Sequence, residues 1–105
     1  MSAVKGKSAD PLQAAGNVYS LVMENDKVRV LDALFKPGAT AAMHYHPNHV
    51  VYILVDGKFK ISTPDGKSVD LDLKQGQAIW MEEGQHSAQN LGKTQGHNLV
   101  VELKK

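Results

Sequence analysis

Turn-forming residues recur along this chain at short, regular intervals, and only strand-length segments fit between them. Pro37-Gly38, Pro47-Asn48, Asp56-Gly57, Pro64-Asp65-Gly66, Gln75-Gly76, Gly84 and Gly92 each supply the dihedral angles a tight turn requires. Between them the side chains alternate with a period of two, not 3.6. The expected strands are residues 18–24, 28–35, 40–46, 49–55, 58–63, 68–73, 77–81, 86–90 and 98–103. Strands about eight to twelve residues apart, with no helical run among them, predict an all-β fold. A sandwich or an antiparallel barrel of the jelly-roll type satisfies that spacing.

A chain of 105 residues makes one domain. Residues 1–16 are small, polar and poorly patterned, so a short mobile N-terminal arm is expected, with one helical turn after Asp10, where Pro11 suits the first helical position. Residues 17–105 form the barrel. Within it, segment 68–73 places Val69, Leu71 and Leu73 on one face and Ser68, Asp70 and Asp72 on the other, a strand with one face in solvent. Segment 49–55 is apolar nearly throughout. Both its faces need cover, from the core and a second sheet or from another subunit, so a homodimer is expected.

Twelve Lys and Arg against eleven Asp and Glu leave a formal charge of +1, which argues against nucleic acid and an acidic membrane surface as partners. With no cysteine, disulfides, iron–sulfur clusters, zinc ribbons and thiol nucleophiles are excluded. Any metal must be held by imidazole and carboxylate. The stretch Met1-Ser-Ala-Val-Lys-Gly-Lys7 has no apolar core of a signal peptide, and no run reaches membrane-spanning length. A soluble, cytoplasmic protein is expected, though a mature product of a longer chain has the same appearance.

Three of the five histidines, His44, His46 and His49, fall within six residues. In a strand, side chains two apart share a face, so His44 and His46 point together with Tyr45 opposed. Two imidazoles about 6.7 Å apart along a strand can converge on one ion at roughly 2.0–2.1 Å from each nitrogen. His86 follows the Gly84 turn at the head of a later strand, where it can meet that pair from across the barrel. Three imidazoles from two strands leave coordination positions open, the arrangement of a catalytic metal site. His97 has no partner at an informative spacing and is assigned to the surface. Trp80, Phe35, Tyr52 and Met43 are read as core packing or as an apolar pocket wall.

Two motifs carry a family resemblance. The pattern Gly-x5-His-x-His-x3-or-4-Glu-x6-Gly is matched at Gly38, His44, His46 and Gly57, and the pattern Gly-x5-Pro-x-Gly-x2-His-x3-Asn at Gly76, Gly84, His86 and Asn90. In this the chain resembles the cupins, most closely their small single-domain bacterial members of unassigned activity. The resemblance implies a barrel of six to eight antiparallel strands with a metal inside. The glutamate of the first motif is missing. Counting back from Gly57 reaches Val50, whereas aligning the apolar run puts His49 there as the fourth ligand; the alternative is an exposed His49 and a three-histidine site. The proline of the second motif is Glu82, and only Gln85 separates Gly84 from His86, so the turn must absorb a deletion for His86 to face inward. Glu82 and Glu83 read as a solvated turn, with a general-base role as the alternative, and Asn90 as a hydrogen-bonding residue that orients a strand end or a ligand.

The expected function is a small cupin that binds a divalent transition metal through His44, His46, His49 and His86 and takes a small organic molecule as ligand or substrate. Iron, nickel, zinc, manganese and copper are not separated by imidazole ligands. An Fe(II)-type dioxygenase and a Lewis-acid enzyme such as an isomerase both fit. A non-catalytic module binding a small molecule or a metal is the alternative, as is a barrel with an unused site. No proton-transfer residue is visible beside the histidines, and no catalytic residue is assigned. Ligation by imidazoles of ordinary pKa near 6.5 predicts metal affinity falling below about pH 6.

Overall fold

The structure, a computed structural model, describes residues 9–104. A single helical turn, α1 (Pro11–Ala14), precedes nine strands: β1 (Tyr19–Glu24), β2 (Val28–Phe35), β3 (Thr40–His46), β4 (His49–Ile53), β5 (Gly57–Ser62), β6 (Ser68–Leu73), β7 (Ala78–Met81), β8 (Gly84–Asn90) and β9 (Gly96–Leu103). They form two antiparallel sheets, ordered β1-β2-β9-β4-β7 and β3-β8-β5-β6. This is the jelly-roll arrangement that the turn spacing predicts. Gly38 and Gly76 adopt φ of +78° and +89°, a conformation that side chains disfavour and turns of this kind require.

The core lies between the sheets, where alternate residues of each strand meet. Leu31, Ala33 and Phe35 of β2, Ile53 of β4, Phe59 of β5 and Val100 of β9 are buried together. Phe59 packs edge-on against Phe35 with ring centroids 4.9 Å apart. Gly96 makes room for it: a Cβ there would lie 2.6 Å from Phe59 Cζ. Asn90 is the strand-end anchor expected, donating from Nδ2 to the carbonyls of Phe35 and Thr94 and accepting from the Gly92 N–H.

Several local expectations change. β4 ends at Ile53, two residues early, and Val55 is exposed. Tyr52, Met43 and Trp80 face outward, so of the four large groups assigned to the core only Phe35 is buried there. Trp80 is held instead by an Nε1–H donated to Glu82 Oε2 at 2.6 Å. β6 is an edge strand with Ser68, Asp70 and Asp72 exposed as expected, yet Val69 is exposed as well because it stands where the sheet runs out.

The first eight residues of the expected arm lie outside the described residues. The rest of it packs on the barrel: Ala9, Pro11 and Ala15 are buried, and Asp10 caps α1 by accepting the Leu12 N–H. Among the described residues no helix is long and apolar enough to cross a membrane.

Candidate metal centre

The two leading histidines face inward because β3 carries one residue more than the strand it pairs with. Ala41 lies opposite Ala88 and His44 opposite His86, so three steps on β3 match two on β8. The extra residue forms a bulge at which Ala42 and Met43 both point out, after which His44 and His46 point in. The bulge also supplies the Ala42 carbonyl, which accepts the Nδ1–H of His44 at 2.6 Å.

The register places His86 directly across from His44, with ring centroids 4.7 Å apart. The shortened turn before it does not redirect its side chain, since β8 starts at Gly84 and pairs that residue with His46. Metal-binding atoms of His44, His46 and His86 all lie within 4.8 Å of one another. His49, at the start of β4, is buried and not exposed, and its ring is 4.4 Å from that of His46 and 6.4 Å from that of His86. Val50, the other candidate for the missing glutamate position, lies half-buried on the opposite face of β4.

Outer partners fix how these rings present themselves. Nδ1 of His49 meets the Pro47 carbonyl at 2.7 Å, and Nδ1 of His46 meets Glu102 Oε2 at 2.6 Å. A carbonyl or carboxylate oxygen only accepts, so in His44, His46 and His49 the proton sits on Nδ1 and the Nε2 lone pair is free to ligate. Glu102 Oε1 accepts from Arg29 Nε at 2.9 Å, and Arg29 donates onward to both carboxylate oxygens of Asp10. With both its oxygens accepting, Glu102 is ionised, and its contact with His46 is a hydrogen bond from a neutral imidazole.

Burial is the main cause of the electrostatics. It holds His46 at about 2, far below the ordinary 6.5, with His49 and His44 adding to the effect. His86 is also lowered to about 2, first by burial and then by His44, His46 and His49. His44 and His49 are lowered by burial too. Burial raises Glu102 above the usual carboxylate value against the opposing bond from Arg29. His44, His46 and His86, three converging imidazoles kept neutral by burial, are a donor set that could hold a divalent transition metal, and His49 adjoins them.

Sequence reasoning missed five residues around this cluster. Tyr19, on β1, is buried, and its hydroxyl lies 3.2 Å from His44 Nε2. Because that nitrogen carries a lone pair, the hydroxyl donates; burial first, and Glu102 second, push its pKa well above 10.0. Glu102 and Asn98 are buried polar residues on the inward register of β9, alternating with Val100. A polar residue at an inward position of an apolar strand is the signal that could have found both. Arg29 and Asp10 carry no comparable mark. Beside the histidines lies a cavity of about 80 Å³, walled mainly by apolar groups including Val51, Phe59, Leu71, Ile79 and Val100. His97 pairs with Asp32, Nε2 to Oδ1 at 2.6 Å, away from the cluster.

A closed two-sheet β-shell with histidines turned into an apolar cavity defines a class of barrel proteins with an internal site. Within that class the chain belongs to the cupins, since the family model described as "Cupin domain" matches residues 31–102. Its structure is similar to that of a cupin domain from Bordetella pertussis Tohama I, with TM-score 0.78 and 28% identity, over 84% of this chain and 93% of that one. A conserved protein with a double-stranded β-helix domain from Klebsiella pneumoniae has TM-score 0.65 and 24% identity, over 84% of each chain. A cupin superfamily protein from Desulfitobacterium hafniense has TM-score 0.62 and 18% identity, over 84% of this chain and 77% of that one. The last two likenesses concern the fold alone. No curated protein matches the chain by sequence.

Proposed function

We propose that this cupin binds a divalent transition metal through His44, His46, His49 and His86 and acts with it on a small anionic organic molecule held in the adjoining cavity. The observation that carries the reading is the convergence of His44, His46 and His86, with ligand atoms within 4.8 Å. His49 joins them as fourth ligand because its Nδ1 is tied to Pro47 in the way that Nδ1 of His44 is tied to Ala42. When bound, the ion supplies Lewis acidity or, as Fe(II), dioxygen chemistry. Neutral imidazoles leave its charge undiminished, which favours an anionic ligand.

The remaining work falls to the chain's own residues. Glu102 orients His46 and raises its basicity as a ligand, while Arg29 and Asp10 hold Glu102 in place. Mainly apolar walls line the space beside the cluster. The Tyr19 hydroxyl is a hydrogen-bond donor beside the histidines, where sequence reasoning found none.

Metal content of tag-free protein tests the reading. The wild-type chain is expected to carry close to one equivalent and the His44→Ala, His46→Ala variant almost none; equal content in the two would end it. Oxygen uptake with small oxo-acid and diketone candidates then separates a dioxygenase from a Lewis-acid enzyme or a binder.

A homodimer in the cytoplasm completes the proposal. On the outer face of the five-stranded sheet Val50 stands between Trp80 and Val101, and Tyr52 between Ala78 and Leu99, an apolar patch across three strands that a second copy can cover.

A further inference from the structure

Among the described residues, Asn98 Oδ1 is a buried side-chain oxygen for which the protein supplies no donor. The residue is 7% exposed and lines the cavity beside the histidines. On β9 it stands two inward positions from Glu102, about 13 Å of strand away. The cavity is therefore polar at two places, the histidine cluster with Tyr19 and the Asn98 carboxamide, with apolar wall between them. Buried polar groups are almost always paired, and an aliphatic side chain would serve packing against Ala33 and Ile53 better than an amide. Since Asn98 lines the cavity, a group held there is the nearest source of the missing partner.

Given the metal reading above, on which this inference rests, the contents can be narrowed. A cavity of about 80 Å³ has room for roughly five to eight water-sized groups, at about 10–15 Å³ each. The end nearest the ion takes an anionic oxygen group. The walls formed by Val51, Phe59, Leu71, Ile79 and Val100 take unsubstituted carbons. The far end takes a neutral group able to donate to an amide oxygen, because a second charge has no counterion there. We propose that Asn98 recognises a hydroxyl group on the ligand, and that the site takes a short ω-hydroxycarboxylate whose carboxylate meets the metal.

Two probes of equal size test this: 4-hydroxybutanoate and pentanoate, which differ by a hydroxyl in place of a terminal methyl. Calorimetric titration of each into the zinc-loaded protein is expected to show 4-hydroxybutanoate binding about 10- to 100-fold more tightly. In Asn98→Leu the preference is expected to vanish or reverse, with zinc stoichiometry unchanged and the melting temperature no lower than in the wild-type protein. Equal affinities in the wild-type protein would overturn the proposal and leave Asn98 as the partner of a trapped water. A preference that survives Asn98→Leu would overturn it too, and so would zinc uptake with neither acid binding at millimolar concentration. Failure to take up zinc at all is the separate result that removes the metal reading, and this inference with it.

Discussion

Glu102 accepts the Nδ1–H of His46 at 2.6 Å, although 56 residues separate them along the chain. The contact joins the strand that carries His44 and His46 to the strand at the centre of the other sheet. Through Arg29 and Asp10 it continues to the cap of α1, so the segment preceding the barrel is bonded to the site.

That chain of bonds makes Glu102 a sensitive position. Glu102→Gln keeps one acceptor for either His46 or Arg29 and removes the charge, so metal affinity should fall about 10- to 100-fold, as for other outer partners of ligating histidines. Competition with a chelator measures it. An unchanged affinity would show that His46 holds its orientation without the carboxylate.

Tyr19 should act in the opposite direction. Its hydroxyl donates to His44 Nε2, the nitrogen a metal needs, so the bond exists only in the metal-free protein. Tyr19→Phe should destabilise that form by about 0.5–1.5 kcal/mol and leave the loaded form nearly unaffected. Metal affinity should then rise by a factor of roughly 2–10, read by the same competition assay. Weaker metal binding in the variant would contradict this arrangement.

Acid should destabilise the metal-free barrel well above the carboxylate range. Imidazoles of the unfolded chain titrate near 6.5, whereas His46 and His86 stay neutral in the folded protein down to about 2. The unfolded state therefore takes up protons first as pH falls below 6.5, and stability drops. These two groups alone give a slope of about 2.7 kcal/mol per pH unit. Glu102, raised in the fold, works in the other sense near its own titration and offsets part of the loss at lower pH. Thermal melts in chelator from pH 7.5 to 5 check the slope, and a melting temperature flat over that range would count against neutral buried imidazoles. Because burial lowers all four imidazoles, loss of metal by local protonation should begin at a lower pH than ordinary imidazoles imply.

Gly96→Ala tests the packing that closes the end of the barrel away from Glu102. Its Cβ would lie 2.6 Å from Phe59 Cζ, and the aromatic ring, packed on Phe35, has little room to retreat. A loss of about 1–3 kcal/mol is expected by denaturant titration. Phe59→Leu in the same background should recover part of it, and a double variant no better than additive would refute the clash.

Association is tested on the outer face. Replacing Tyr52 and Trp80 by Glu should convert a dimer to a monomer in sedimentation analysis, with monomer stability changed by less than about 1 kcal/mol because both side chains are largely exposed. A wild-type chain that sediments as a monomer would dispose of the homodimer.

Much of this was legible in the residues alone. Period-two alternation between glycine and proline turns determined an all-β chain, since those are local dihedral preferences. The His44-x-His46 spacing and the two motifs located the strands that carry the histidine cluster for a related reason: neighbours on one strand share a face wherever the strand goes. Contacts between strands were not legible. The bulge at Ala42 and Met43 sets which way His44 and His46 point, and it exists only because β3 must keep register with β8. Trp80 and Tyr52 read as core residues by size, yet burial depends on which face a neighbouring sheet covers. Glu102, Arg29, Asp10, Tyr19 and Asn98 meet the cluster or its cavity from β9, β2, the N-terminal segment and β1. Their roles arise from closing the two sheets on each other, because only then do polar side chains distant in sequence lose water and have to find partners in one another or in a ligand.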